Sequence, residues 1–215
     1  MRAIWLGSFV TDTIYLAAGA FTSRFIGSPL QKALARRRYG SLAAHYDADV
    51  IPQAGYFAPL EAALSRLPAP PASALDVSTG TGAVISAVMR RFPSCRAFAV
   101  DLSPAMLSRA VRNTRHEGLR ARFASANAAR LPFPPASFDL VTVQNAFPVP
   151  RELVRVAKPG GWVILCYSAG GPVFPWIVRS LAGQFRALGC EGVETHRVET
   201  GRYFLARRGV GVTQA

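Results

Sequence analysis

The sequence predicts an α/β fold with a mostly parallel sheet, on three observations. Ala74-Leu75-Asp76-Val77 runs into a loop of small residues, Ser78 to Gly82, and apolar residues at helical spacing follow from Ala83 to Arg91. That order is strand, tight turn, helix. A second apolar run, Ala97 to Val100, ends on Asp101, and Ser103-Pro104 opens another helix with a cap residue and a proline at its first position. Short apolar runs then keep alternating with helical stretches, the pattern of βα units.

The loop narrows what the first unit can hold. Its glycines allow positive φ and a close approach of the backbone to a ligand, and the following helix aims free N–H groups at an anion. A dinucleotide fingerprint is excluded, because its third glycine would fall at Ile85. A P-loop is excluded because no lysine is near.

At 215 residues, half of them hydrophobic, the chain has the size of one domain with a terminal extension. Its formal charge of +13 is carried almost wholly by arginine, since Lys32 and Lys158 are the only lysines. Cys95, Cys166 and Cys190 are scattered and lack metal-ligand spacing, so reduced thiols, no metal site and a cytoplasmic protein are expected.

Taken from the start, Leu6, Val10, Ile14, Ala17, Phe21 and Phe25 fall on one stripe of a helix over residues 3–26. Gly27-Ser28-Pro29 ends it, and a basic segment with Arg36-Arg37-Arg38 follows. Three readings stay open: a helix docked on the domain, a membrane-surface contact through residues 3–38, or a span made costly by Asp12. Thr11-Asp12-Thr13 breaks the apolar region a signal peptide would need, so export is not expected. Residues 39–67 read as one or two helices, and Pro68 to Pro71 as a stiff linker. Later strands are expected at 121–124, 140–143 and 162–167, a helix at 173–188, and a hairpin of 193–198 with 202–207.

Asp76-Val77-Ser78-Thr79-Gly80-Thr81-Gly82 resembles motif I of the class I S-adenosylmethionine (SAM) methyltransferases, with Ser78 where that family usually has its first glycine. Three further segments are similar to the same family, in the same order: Val100 to Leu107, Leu131 to Val141, and Arg155 to Gly161. The likeness covers roughly residues 40–208 and is to the small-molecule enzymes that include the ubiquinone/menaquinone C-methyltransferases. It implies a Rossmann-like, seven-stranded, mostly parallel sheet with an antiparallel terminal hairpin. An N-terminal helical extension at 1–38 would precede a methyltransferase domain at 39–215.

The resemblance implies S-adenosyl-L-methionine as cofactor, held by Asp76, Ser78, Thr79, Gly80, Gly82, Asp101, Leu102, Asn127, Ala128 and Gln144. Asp101 would accept from the ribose hydroxyls. Asn127 replaces an acid that commonly binds the adenine amino group. His45-Tyr46-Asp47 resembles the "YD" segment that lies over the cofactor, which makes His45 and Tyr46 the catalytic candidates, should the acceptor need a base. Asn145 invites comparison with the Asn-Pro-Pro-Tyr loop of amine methyltransferases, but only the Asn fits. The expected reaction is methyl transfer by in-line displacement to a small, hydrophobic acceptor: a quinone, an aromatic metabolite or a lipid. A non-catalytic scaffold and an RNA methyltransferase are the alternatives; Arg109, Arg112, Arg115, Arg120 and Arg122 favour the latter. No appended RNA-binding module is visible, so nucleic acid is not the expected partner.

Overall fold

A computed structural model describes residues 29–52, 55–168, 175–199 and 201–211. The helix expected over 3–26 lies outside the described residues. Helix α1, Pro29–Leu42, runs across the 38/39 position where the extension is expected to end. A single turn, α2 (Tyr46–Asp49), and α3 (Ala58–Leu64) follow it. The core then alternates as expected: β1 (Ser73–Val77), α4 (Ala83–Arg91), β2 (Arg96–Asp101), α5 (Pro104–His116) and β3 (Arg122–Ser125). It continues with β4 (Phe138–Gln144), α6 (Pro150–Val156), β5 (Ala157–Tyr167), α7 (Pro175–Ala187), β6 (Cys190–Val198) and β7 (Gly201–Arg208).

Helix α6 is an addition to the sequence reading. It has seven residues, too few for periodicity to declare itself, yet Leu153, Val154 and Val156 are all buried. Within the segment Arg155 to Gly161 the helix ends at Val156 and β5 begins at once at Ala157, with Gly160 at φ 77°.

The seven strands form one sheet in the order β3-β2-β1-β4-β5-β7-β6. β7 is antiparallel to both its neighbours, and the pairings from β3 to β5 are parallel. The chain steps outward from β1 to β2 and β3, then returns to β4 on the other side of β1. That reversal opens a crevice beyond the carboxyl ends of β1 and β4, where open α/β sheets bind ligands.

All five residues of β1 are buried, as a strand covered on both faces requires. Leu75 and Val77 point to the face covered by α6 and α7, with Leu153, Val154, Leu181 and Phe185. Ala74 packs on the other face with Leu60 and Leu64 of α3 and Ile85 and Val88 of α4. Burying one such aliphatic side chain contributes roughly 1.5–3 kcal/mol. Near the carboxyl end, Arg208 is 6% exposed, and its Nη1 donates to the carbonyls of Val154 (3.2 Å), Arg155 (3.1 Å) and Ala157 (2.6 Å). These carbonyls lie at the end of α6, where the helix can no longer satisfy them.

Candidate active site

The loop from β1 to α4 takes the positive-φ path its glycines allow. Ser78 lies at φ 60°, Gly80 at 56° and Gly82 at 86°. The two glycines are required for different reasons. A Cβ on Gly80 would meet nothing within 4 Å, so that position faces open space over the strand ends. A Cβ on Gly82 would stand 3.1 Å from the Ala110 Cβ, so Gly82 lets α4 start against α5. The Ser78 side chain carries the strain of a left-handed residue, on the order of 1 kcal/mol.

Asp101, at the end of β2, ties this loop to its own. Its Oδ2 accepts from the Gly80 N–H and its Oδ1 from the Ser103 N–H, both at 2.8 Å. Burial raises its pKa, and the N–H groups of Ser103 and Gly80 oppose that rise. Ser103 caps α5 as its sequence position suggests, its Oγ accepting from the Met106 N–H. Leu102 is half-buried beside Asp101. Asn127 and Ala128 lie half-buried in the turn after β3, where the Asn127 Oδ1 accepts from the Ala129 N–H at 3.0 Å.

A buried polar cluster fills the ends of β1 and β4. Asp76 is 1% exposed; its Oδ1 accepts from the Thr142 hydroxyl at 2.8 Å, and its Oδ2 has no partner. Burial pushes this carboxyl up to about 7, against the influence of Thr79 and Thr142. Gln144 Oε1 is likewise buried without a partner, and the buried Thr79 hydroxyl lies beside Asp76 as a second hydrogen-bonding group. Gln144 uses its Nε2 to hold the Tyr56 carbonyl at 3.0 Å. The Tyr56 phenol is pushed up to about 12 by burial, with Tyr46, Gln144 and Asn145 as its hydrogen-bonding neighbours and Asp76 nearby. Tyr56 has no sequence signal: it lies outside every motif, and only the fold brings it to the strand ends.

The two catalytic candidates part here. Tyr46 is half-buried and reaches Tyr56, whereas His45 is exposed at the start of α2. Asn145, at φ 53°, has both ends of its side chain engaged by Ser168 beyond β5: Nδ2 donates to the Ser168 Oγ at 2.6 Å, and Oδ1 accepts from the Ser168 N–H at 2.9 Å. It braces the mouth between β4 and β5. His116 ends α5, and His196 stacks on Tyr203 in the terminal hairpin. Among the described residues no group of three or more His, Cys, Asp or Glu could hold a metal ion, and no helix is long and apolar enough to cross a membrane.

On the outer side of the loop, a cleft of about 310 Å³ is lined by Asp47, Phe57, Thr81, Ser86 and Asn113, among others. Arg90 and Glu117 pair at its exposed side.

Residues 74–161 match a family described as "Methyltransferase domain". The demethylmenaquinone methyltransferase of Thermus thermophilus is 36% identical over 102 residues, covering 44% of this chain and 46% of that one. The malonyl-[acyl-carrier protein] O-methyltransferase of Halorhodospira halophila is 33% identical over 150 residues, 66% of this chain and 50% of that one. This chain thus matches about half the length of these curated relatives. A SAM-dependent methyltransferase from Aquifex aeolicus superposes with a TM-score of 0.65 at 17% identity, over 78% of this chain and 97% of that one, a likeness of fold.

Proposed function

We propose that this chain, whose residues 74–161 match a methyltransferase domain family, transfers a methyl group from SAM to a small hydrophobic acceptor by in-line displacement. The observation that carries the reading is a pair of buried acceptors at the strand ends: the Asp76 carboxyl, with only the hydroxyls of Thr142 and Thr79 beside it, and the unpartnered Gln144 Oε1. Buried polar groups are nearly always satisfied, so a buried carboxyl beside an unpartnered amide oxygen fits a ligand that brings donors, such as the ammonium of an amino acid. Bound there, SAM supplies an electrophilic methyl on a sulfonium.

In this reading Ser78, Thr79, Gly80 and Gly82 shape the floor under the cofactor, with Gly80 leaving room for the backbone to approach it. Asp101 and Leu102 take the ribose end, and Asn127 and Ala128 the base. Tyr46 and Tyr56 narrow the mouth and exclude water, so that an acceptor is held close and aligned. A phenol raised to about 12 stays protonated at neutral pH, so Tyr56 donates a hydrogen bond rather than removing a proton. Tyr46 beside it is then the stronger of the two catalytic candidates.

The hydrophobic acceptor rests on the demethylmenaquinone-named relatives and on the apolar, basic N-terminal stretch. Residues 3–38 are proposed as a contact with a membrane surface that presents such an acceptor. Calorimetric titration with SAM tests the cofactor, and mass spectrometry of a lysate incubated with isotopically labelled SAM tests the acceptor. Absence of SAM binding would sink the reading.

A further inference from the structure

Apart from the strand ends, the described residues hold one more cluster of polar groups tied to the glycine loop. It centres on Asp47, in the one-turn helix α2. The Asp47 Oδ2 accepts from Arg109 Nε at 3.2 Å and from Asn113 Nδ2 at 3.0 Å. The same Asn113 amide donates its second hydrogen to the Thr81 carbonyl at 3.1 Å, inside the loop under the proposed cofactor. Arg109 also donates through Nη2 to the Ala44 carbonyl at 3.0 Å. Ahead of them, Arg36 Nε donates to the Leu102 carbonyl at 3.4 Å, next to Asp101.

Two residues of α5 therefore hold both the segment 44–47 and the loop 78–82. We infer that Asp47 is a positioning residue: through Asn113 and Arg109 it locks the N-terminal segment onto α5 and fixes the Thr81 end of the cofactor loop. The contact is built for this. Asp47 and Arg109 keep 25% and 33% of their side chains exposed, enough shelter to hold one geometry and enough access to open. Gly82, next to Thr81, comes close enough to Ala110 of α5 that an added Cβ would stand 3.1 Å from the Ala110 Cβ, so the loop is set against the same helix that Asp47 bonds. Asp47 Oδ1 stays buried and unpartnered, in the cleft it shares with the unpartnered Thr81 and Ser86 hydroxyls. Its carboxylate thus bonds α5 through one oxygen alone.

The inference rests on the proposed SAM cleft for its functional meaning, but its test has an arm that does not. Hydrogen exchange is followed on the unliganded full chain, and affinity for S-adenosylhomocysteine (SAH), the demethylated product of SAM, is measured by calorimetry. Asp47→Ala should speed exchange about tenfold both at 42–50 and at 79–86, leave β4 and β5 unchanged, and weaken SAH about tenfold. Asp47→Asn, which keeps one acceptor oxygen, should recover part of both effects. If Asp47→Ala fails to fold, Asn113→Ala keeps the Arg109–Asp47 pair and should still loosen 79–86. Unchanged exchange at 79–86, or a uniform increase through the sheet, overturns the inference. A wild-type chain that binds no SAH sinks the proposed function instead, while the exchange result still decides the role of Asp47.

Discussion

Asp101 is the residue whose loss should be felt most directly by a ligand. Asp101→Ala removes hydrogen bonds worth roughly 1.5–3 kcal/mol, so SAM affinity should fall about tenfold or more. Its bonds to Gly80 and Ser103 mean the loop should loosen as well. Unchanged affinity would reject its assignment to the ribose. Ser78→Gly should leave SAM binding intact or improve it, because glycine relieves the left-handed strain at φ 60° while adding freedom to the unfolded chain. Loss of binding in that variant would make the hydroxyl a ligand contact. Asp76 gives a pH signature. Burial lifts its folded-state pKa to about 7, above the usual value of about 3.9. The protonated form therefore favours the fold, and this share of stability, present below about pH 4, is lost as pH rises through about 7. The unliganded protein should melt at a lower temperature at pH 8 than at pH 6, and Asp76→Asn should flatten that interval. Asp139 acts in the opposite sense. Burial pushes its carboxyl up, but Lys158 and Ser73 outweigh that and hold it low, so its contribution fades under acid conditions.

At the scale of elements, the two loop glycines separate binding from folding. Gly82→Ala drives a Cβ to 3.1 Å from Ala110 at a positive φ, and should destabilise the protein by roughly 1–3 kcal/mol. Gly80→Ala meets nothing, so it should cost only about 1 kcal/mol of backbone strain while filling the space a ligand needs. Denaturant melts and SAM titrations on both variants check this; equal effects on stability would refute the distinction. The same loop shows what the sequence could reveal. Strand, turn and helix from Ala74 to Arg91, the acid at 101 and the Ser103 cap are local signals, each legible within a few residues. Helix α6 was hidden by its length. Tyr56 and the Asp47–Arg109–Asn113 set were hidden by distance, since contacts across 62 and 66 positions leave no periodic trace. The Asn145 position was noticed, but its bracing by Ser168 needed β5 beside β4.

For the whole molecule, charge is distributed unevenly. None of the twelve acidic residues lies on α1, α5 or β3, whereas Arg36, Arg37, Arg112, Arg115 and Arg122 are exposed there. Leu34 and Leu42 of α1 are exposed beside the arginines. Each arginine close to an anionic bilayer contributes about 1 kcal/mol, screened by salt over about 8 Å at physiological strength. The full chain should float with anionic vesicles, less so at high salt and not with neutral ones. Indifference to vesicles would remove the membrane part of the proposal.

The position of β7 also has a consequence for synthesis. β5 pairs with β4 on one side, but on the other it waits for β7, which leaves the ribosome last of the seven strands. Until Arg208 emerges, the carbonyls it caps at the end of α6 have no guanidinium, and one edge of β5 stands open. An unpaired apolar edge is a template for another chain. A chain truncated before β7 should therefore aggregate rather than form a smaller soluble domain, which makes the interval between the synthesis of β5 and that of β7 the vulnerable one.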